Sequence, residues 1–202
     1  MKKFLILTIL SCLALTSARA DEGYFRKKIQ TLSYSSMEMN FIGFPLKSDY
    51  GASFSTIRTY FLHRKPIGGF IKVGIDACWT DLNYNKYTNT VIDSDGRRDV
   101  DVQQMEIGVQ AGLSLTFNPV DKLNIALYGR YAPSYSFMAA ESMGGGYVGY
   151  IVTGGRISYR FIGIGAEYRT GQGSYTEYFS EDGGGSTPLT MNGFRAYIAF
   201  CF

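Results

Sequence analysis

The side chains most able to do chemistry in this sequence are charged and lie within runs of alternating apolar residues. They are Arg58, Lys72, Asp76, Glu106, Arg130, Arg156, Glu167, Arg169 and Arg195. Acids and bases mixed in this way suit an ion-paired network more than a catalytic set. The single histidine, His63, stands in His63-Arg64-Lys65-Pro66-Ile67-Gly68-Gly69, which reads as a turn. Past the first twenty residues the cysteines are Cys78 and Cys201, without the spacing of a metal site. The glycine runs at 143–146 and 183–185 lack the strand-to-helix setting of a phosphate loop and read as loop tips. No catalytic residue, cofactor or metal ligand is assigned, and no enzymatic activity is expected.

The elements that must carry these charges are strands. From Gln104 to Phe117, Met105, Ile107, Val109, Ala111, Leu113 and Leu115 alternate with Glu106, Gly108, Gln110, Gly112, Ser114 and Thr116. Period-two alternation marks a strand with one apolar and one polar face. The same pattern runs over Phe70–Leu82, Leu123–Ser134, Tyr147–Tyr159 and Ile162–Arg169. In Ala52–Leu62 it puts Ser55, Ile57, Thr59 and Phe61 on one face and Arg58 on the other. A first strand ends at Met37–Phe41, where Ser35-Ser36 breaks the phase as a bulge would. Pro45–Gly51 reads as a loop. Short turns at 63–69, 118–122 and Arg160-Phe161 alternate with long polar loops at 83–101, 136–147 and 170–190.

The last strand, Gly193–Phe202, is apolar at Phe194, Ala196, Ile198, Phe200 and Phe202 and ends on an aromatic. About ten residues is what a tilted strand needs to cross a bilayer. This tail resembles the closing strand of small eight-stranded bacterial outer-membrane β-barrels, the OmpA/OmpX- and OmpW-like group. Arg195, Phe200 and Phe202 fit that group's assembly signal, whereas Tyr197 stands where glycine is usual. The resemblance implies an all-β, eight-stranded antiparallel up-and-down transmembrane barrel in the bacterial outer membrane, among its lipids and inserted by the barrel assembly machinery. Phe61, Phe117, Tyr159 and Phe202 would then form an aromatic girdle at one rim, with Phe41, Trp79, Tyr131 and Tyr168 at the other. Small barrel enzymes that resemble lipid A deacylases or palmitoyltransferases place a histidine near the outer rim. His63 falls in a periplasmic turn instead.

Residues 1–20 read as a signal peptide: Lys2 and Lys3, an apolar centre, then Ala18-Arg19-Ala20. A short periplasmic leader at 21–30 and a barrel at 31–202 are expected to follow. Losing Lys2, Lys3 and Arg19 leaves seventeen bases against 17 acids. A neutral chain with no basic run gives no reason to expect nucleic acid. With the apolar face toward lipid, the nine charges would fill the lumen, paired or wet because an isolated buried ion costs several kcal/mol. Three readings remain: a plugged barrel with a structural or interaction role through the three long loops; a narrow pore for small solutes; and a soluble, lipocalin-like periplasmic binder with the pleat reversed.

Overall fold

A computed structural model describes residues 25–41, 44–93, 96–140, 143–177 and 186–202 of the chain. The expected signal peptide and residues 21–24 of the expected leader lie outside these residues. Eight strands account for nearly everything described: β1 (Lys28–Phe41), β2 (Phe44–Phe61), β3 (Ile71–Asp93), β4 (Gly96–Val120), β5 (Leu123–Ala139), β6 (Met143–Tyr159), β7 (Ile162–Glu177) and β8 (Ser186–Cys201). Each pairs antiparallel with its sequence neighbour, and β1 pairs with β8, so the sheet closes on itself with no free edge along the wall. The start of β1 and the end of β8 lie at one end, here called the terminal end, with the turns β2–β3, β4–β5 and β6–β7.

The strands are longer than the alternation indicates. Most of 83–101 is paired strand, from Asn83↔Glu106 to Asp93↔Gly96. The loop expected at 136–147 narrows to 140–142, and that at 170–190 to 178–185, which lies outside the described residues. Pro45–Gly51 also belongs to a strand, with Pro45 facing Asn40. Past Tyr87 and before Val102 the described residues of the β3–β4 hairpin are open on both faces and carry no apolar alternation although their backbones still pair, while Asn83, Asn85 and Ser136 hide it by being polar on the buried inner face. The first strand begins at Lys28, inside the expected leader. The phase break in β1 is present as a register shift between Ser35 and Glu38.

Two-residue turns close β4–β5 and β6–β7. Lys122 (φ 66°) and Arg160 (φ 55°) take the left-handed conformation there. Such a backbone is uncommon for residues other than glycine and costs roughly 1–3 kcal/mol. At the β2–β3 turn, His63 acts as a brace. Its Nδ1 donates to the Lys65 carbonyl at 2.7 Å and its Nε2 accepts the Val73 N–H at 3.0 Å.

Burial is the reverse of a soluble protein. Ile164 is 67% exposed, Trp79 65% and Leu113 62%, all on the outer wall, while Arg169 and Arg195 are 0% exposed inside. Two apolar layers lie within. Near the terminal end, Ile29, Ile57, Cys78, Tyr197, Ala199 and Cys201 pack together. Toward the far end, Met37, Met39, Met191, Tyr87, Tyr175, Leu189 and Val148 belong to a larger cluster.

Candidate functional site

Between the apolar layers, charged side chains from β3, β4, β5, β7 and β8 meet inside the barrel. Asp76 on β3 accepts two hydrogen bonds on Oδ2 from Arg130 of β5, at 2.6 Å from Nη2 and 3.0 Å from Nε. Its Oδ1 accepts the hydroxyls of Thr59 at 2.6 Å and Ser114 at 2.8 Å. Asp81 accepts from Ser55 at 2.8 Å, Gln110 at 2.9 Å and Arg195 at 3.0 Å, and lies 3.5 Å from Arg169. Arg195 reaches on to Glu167 at 3.1 Å, and Arg169 to Glu106 at 3.4 Å. Glu106 also accepts from Asn83 at 2.9 Å and from the Tyr150 hydroxyl. One connected set therefore ties β3 to strands on the opposite side of the ring.

Three tyrosines frame this set, and each lies against a glycine of the wall. Arg130 stacks 3.7 Å from the Tyr128 ring centroid and Arg169 4.1 Å from that of Tyr150. The Tyr128 hydroxyl meets Glu167 at 3.0 Å and the Tyr197 hydroxyl at 2.9 Å. A Cβ at Gly165 would run into the Tyr197 ring, and one at Gly171 would come within 2.5 Å of Tyr150. At these positions glycine is what lets a ring lie flat on the sheet.

Of the nine charges singled out in the sequence, Asp76, Glu106, Arg130, Arg156, Glu167, Arg169 and Arg195 are buried inside. Six of these join the network. Arg156, 6% exposed, forms no ion pair among the described residues. Lys72 is half-buried at the mouth, its ammonium 4.6 Å from the Phe25 ring centroid and 5.1 Å from that of Phe61. Arg58 is a correction: it points outward, 5.5 Å from the ring centroid of Tyr60. Phase in β2 is opposite to that expected, because Ile57 joins the inner apolar layer while Ser55 and Thr59 serve inner carboxylates. The same reversal moves Phe61 off the outer girdle to the mouth.

The network also contains residues outside that set: Asp81, Asn83, Asn85, Gln104 and Gln110. The register shift between Cys78 and Asp81 explains the first three. Inward positions are 72, 74, 76 and 78 before the bulge and 81, 83, 85 and 87 after it. A trace was readable: apolar residues stand at Ile75, Ala77 and Trp79, then at Leu82 and Tyr84. Cys78 and Cys201 are buried and free. Among the described residues no group of His, Cys, Asp or Glu could hold a metal ion.

On the outer wall, Tyr159 lies exposed by its turn, with Phe117 and Phe202 half-exposed at the same end. Trp79, Tyr131 and Tyr168 face outward farther up; the side chain of Phe41 lies outside the described residues. The fold also brings together bases that form no single run in the sequence. Arg26, Lys27, Lys28, Arg58, Arg64, Lys65, Lys72, Lys122 and Arg160 all gather at the terminal end, against Asp121 as the one acidic side chain described there. Bases scattered along the chain are brought together because every second connection returns to that end.

An apolar wall around an ionic interior, closed by eight antiparallel strands, defines a small transmembrane β-barrel. No helix among the described residues is long and apolar enough to cross a membrane. No family model matches the chain, and no curated protein does. Among solved structures it is similar to Neisserial surface protein A, at 12% identity and TM-score 0.48, over 87% of this chain and 97% of that one. It is also similar to Ail, the attachment invasion locus protein of Yersinia pestis, solved with the heparin analogue sucrose octasulfate: 10% identity, TM-score 0.48, 88% of this chain and 100% of that one. Outer membrane protease OmpT of Escherichia coli is similar at 8% identity and TM-score 0.47, over 92% and 99%. These likenesses carry no argument about function; the fold rests on the strand pairing.

Proposed function

We propose that the protein is an integral barrel of the bacterial outer membrane, with its terminal end in the periplasm and a structural or interaction role. Its lumen is plugged rather than conducting, and its contact surface is the set of hairpins at the far end. The observation that carries this reading is the inverted burial: an apolar wall that only lipid can cover, around arginines with no exposure. Carboxylates and guanidiniums that bond across the lumen, with an apolar layer on either side, support a lumen closed to small solutes.

The longest hairpin favours contact at the far end. Pairing of β2 with β3 ends at Ser48↔Tyr87 and that of β5 with β4 at Ala139↔Gln103, yet β3 and β4 stay paired to Asp93↔Gly96. Beyond the wall this leaves a two-stranded ribbon with no further strand on its outer edges among the described residues, which an extended segment of a partner can join. Thr88–Asp49 at 2.7 Å, Thr90–Asp99 at 2.7 Å and Lys86–Asp101 at 2.8 Å hold its base and lower length.

Reconstitution tests the proposal. The unheated protein is expected to run as a compact, faster band than the heated one on a gel and to give no single-channel steps in planar bilayers. Regular conductance steps overturn the plug. Identical bands, with recovery in the periplasmic fraction, overturn the membrane assignment.

A further inference from the structure

We propose that the terminal end of the wall binds anionic phospholipid of the periplasmic leaflet through Lys28, Arg58 and Arg160; this rests on the membrane reading above. Lys28 and Arg58 are direct cross-strand partners on the outer face. Like charges directly opposite each other destabilise a sheet unless an anion lies between them. The next position around the ring belongs to Phe202, whose terminal oxygen accepts the backbone N–H groups of Lys27 and Lys28 at 3.1 and 3.0 Å. Beyond it the Cys201 N–H donates to the Phe161 carbonyl at 2.7 Å, which sets Arg160 beside that strand end. Among the described residues, the ion pair at this end joins Lys122 to Asp121 at 3.3 Å, within the β4–β5 turn. No acidic side chain described on the wall faces the three bases.

Their depth suits a headgroup. The Arg58 guanidinium lies 5.5 Å from the Tyr60 centroid and that of Arg160 5.7 Å from that of Tyr159, so each charge is held beside an aromatic at the edge of the wall. Above them the wall has a groove of about 1010 Å³ whose lining includes Leu32, Ile157, Ile164 and Ile198. Its floor is the outward row Gly155, Ala166 and Ala196, paired in register across β6, β7 and β8. Gly155 lies five residues from Arg160, about 16 Å along a strand. On a strand tilted by about 40° that is roughly 12 Å of depth, within the roughly 15 Å half-thickness of a hydrocarbon core. A phosphate at Arg160, Lys28 and Arg58 thus sends an acyl chain along the groove. Charge selects the anionic class; the groove holds the chain.

The test uses the whole barrel reconstituted in phosphatidylcholine vesicles, with spin-labelled phosphatidylglycerol and phosphatidylcholine as probes of wall-bound lipid. The wild type is expected to prefer phosphatidylglycerol by about fivefold at low salt and less at 0.5 M. Substituting Lys28→Gln, Arg58→Gln and Arg160→Gln together should bring the preference below about twofold, while Lys86→Gln with Arg97→Gln at the far end should leave it unchanged. Ala166→Phe should reduce immobilised lipid of both kinds without altering the ratio. No preference in a wild type that inserts and shows the heat-dependent band shift overturns the inference alone. So does a preference that survives the triple substitution, and an unchanged immobilised fraction in Ala166→Phe removes the groove from it. A wild type that fails to insert overturns the membrane reading first.

Discussion

Asp76→Ala is the substitution that most directly probes the interior. Asp76 and Arg130 are 2% and 1% exposed at their side chains, and the guanidinium gives both its near hydrogen bonds to one carboxylate oxygen. Removing the carboxylate leaves Arg130 with the Gln110 oxygen at 3.4 Å and the Tyr128 ring, neither of which carries a charge. Breaking a buried pair in this way costs about 3–5 kcal/mol. Thr59 and Ser114 lose their acceptor as well, at about 1 kcal/mol each before they find new partners. The double variant Asp76→Leu with Arg130→Met removes both ions and fills the volume, so it should be only about 1–2 kcal/mol less stable than the wild type. Urea unfolding in lipid, followed by tryptophan emission, gives these differences. A single-variant cost below about 1 kcal/mol, or a double variant no better than Asp76→Ala, refutes the reasoning that the lumen is held by paired ions out of water.

Gly165→Ala should cost about 1–3 kcal/mol by the same assay, because the added methyl displaces the Tyr197 ring and with it the contact to Tyr128; a neutral result would mean that the ring is free to move. Lys122→Gly should stabilise by up to about 1 kcal/mol by releasing the left-handed backbone, and a loss of stability would show that the lysine side chain matters more than the turn. Cys78 and Cys201 should resist a maleimide reagent in the inserted barrel and react fully in urea; rapid labelling when folded would mean that water reaches the lower lumen. Spin labels at Val109 and Gln110 should report lipid contact at 109 and a shielded site at 110, and the opposite result reverses the pleat and removes the membrane reading.

What could be read from the amino-acid order follows from where two solvents meet the sheet. In β4 to β8, lipid covers one face and the interior the other, so Met105, Ile107, Val109 and Ile164 alternate cleanly with Glu106, Gln110 and Glu167, and the sidedness is plain. The pattern fails wherever a strand loses that asymmetry. In β2 the inner face carries Ile57 in an apolar layer and the outer face carries Arg58 at the headgroup edge, so polarity points the wrong way on both sides. In β3 a single bulge moves Asp81, Asn83 and Asn85 inward, and one residue of slip exchanges every face beyond it. Past the wall both faces are wet, and hydrogen-bonded strand is indistinguishable from loop by composition. The basic end was hidden for another reason. Lys28, Arg58 and Arg160 are far apart in the chain, and only the return of alternate connections to one end gives them a common surface. A formal net charge of only +3 is thus compatible with a strongly basic rim, because many of the balancing acids lie inside the barrel and at its far end.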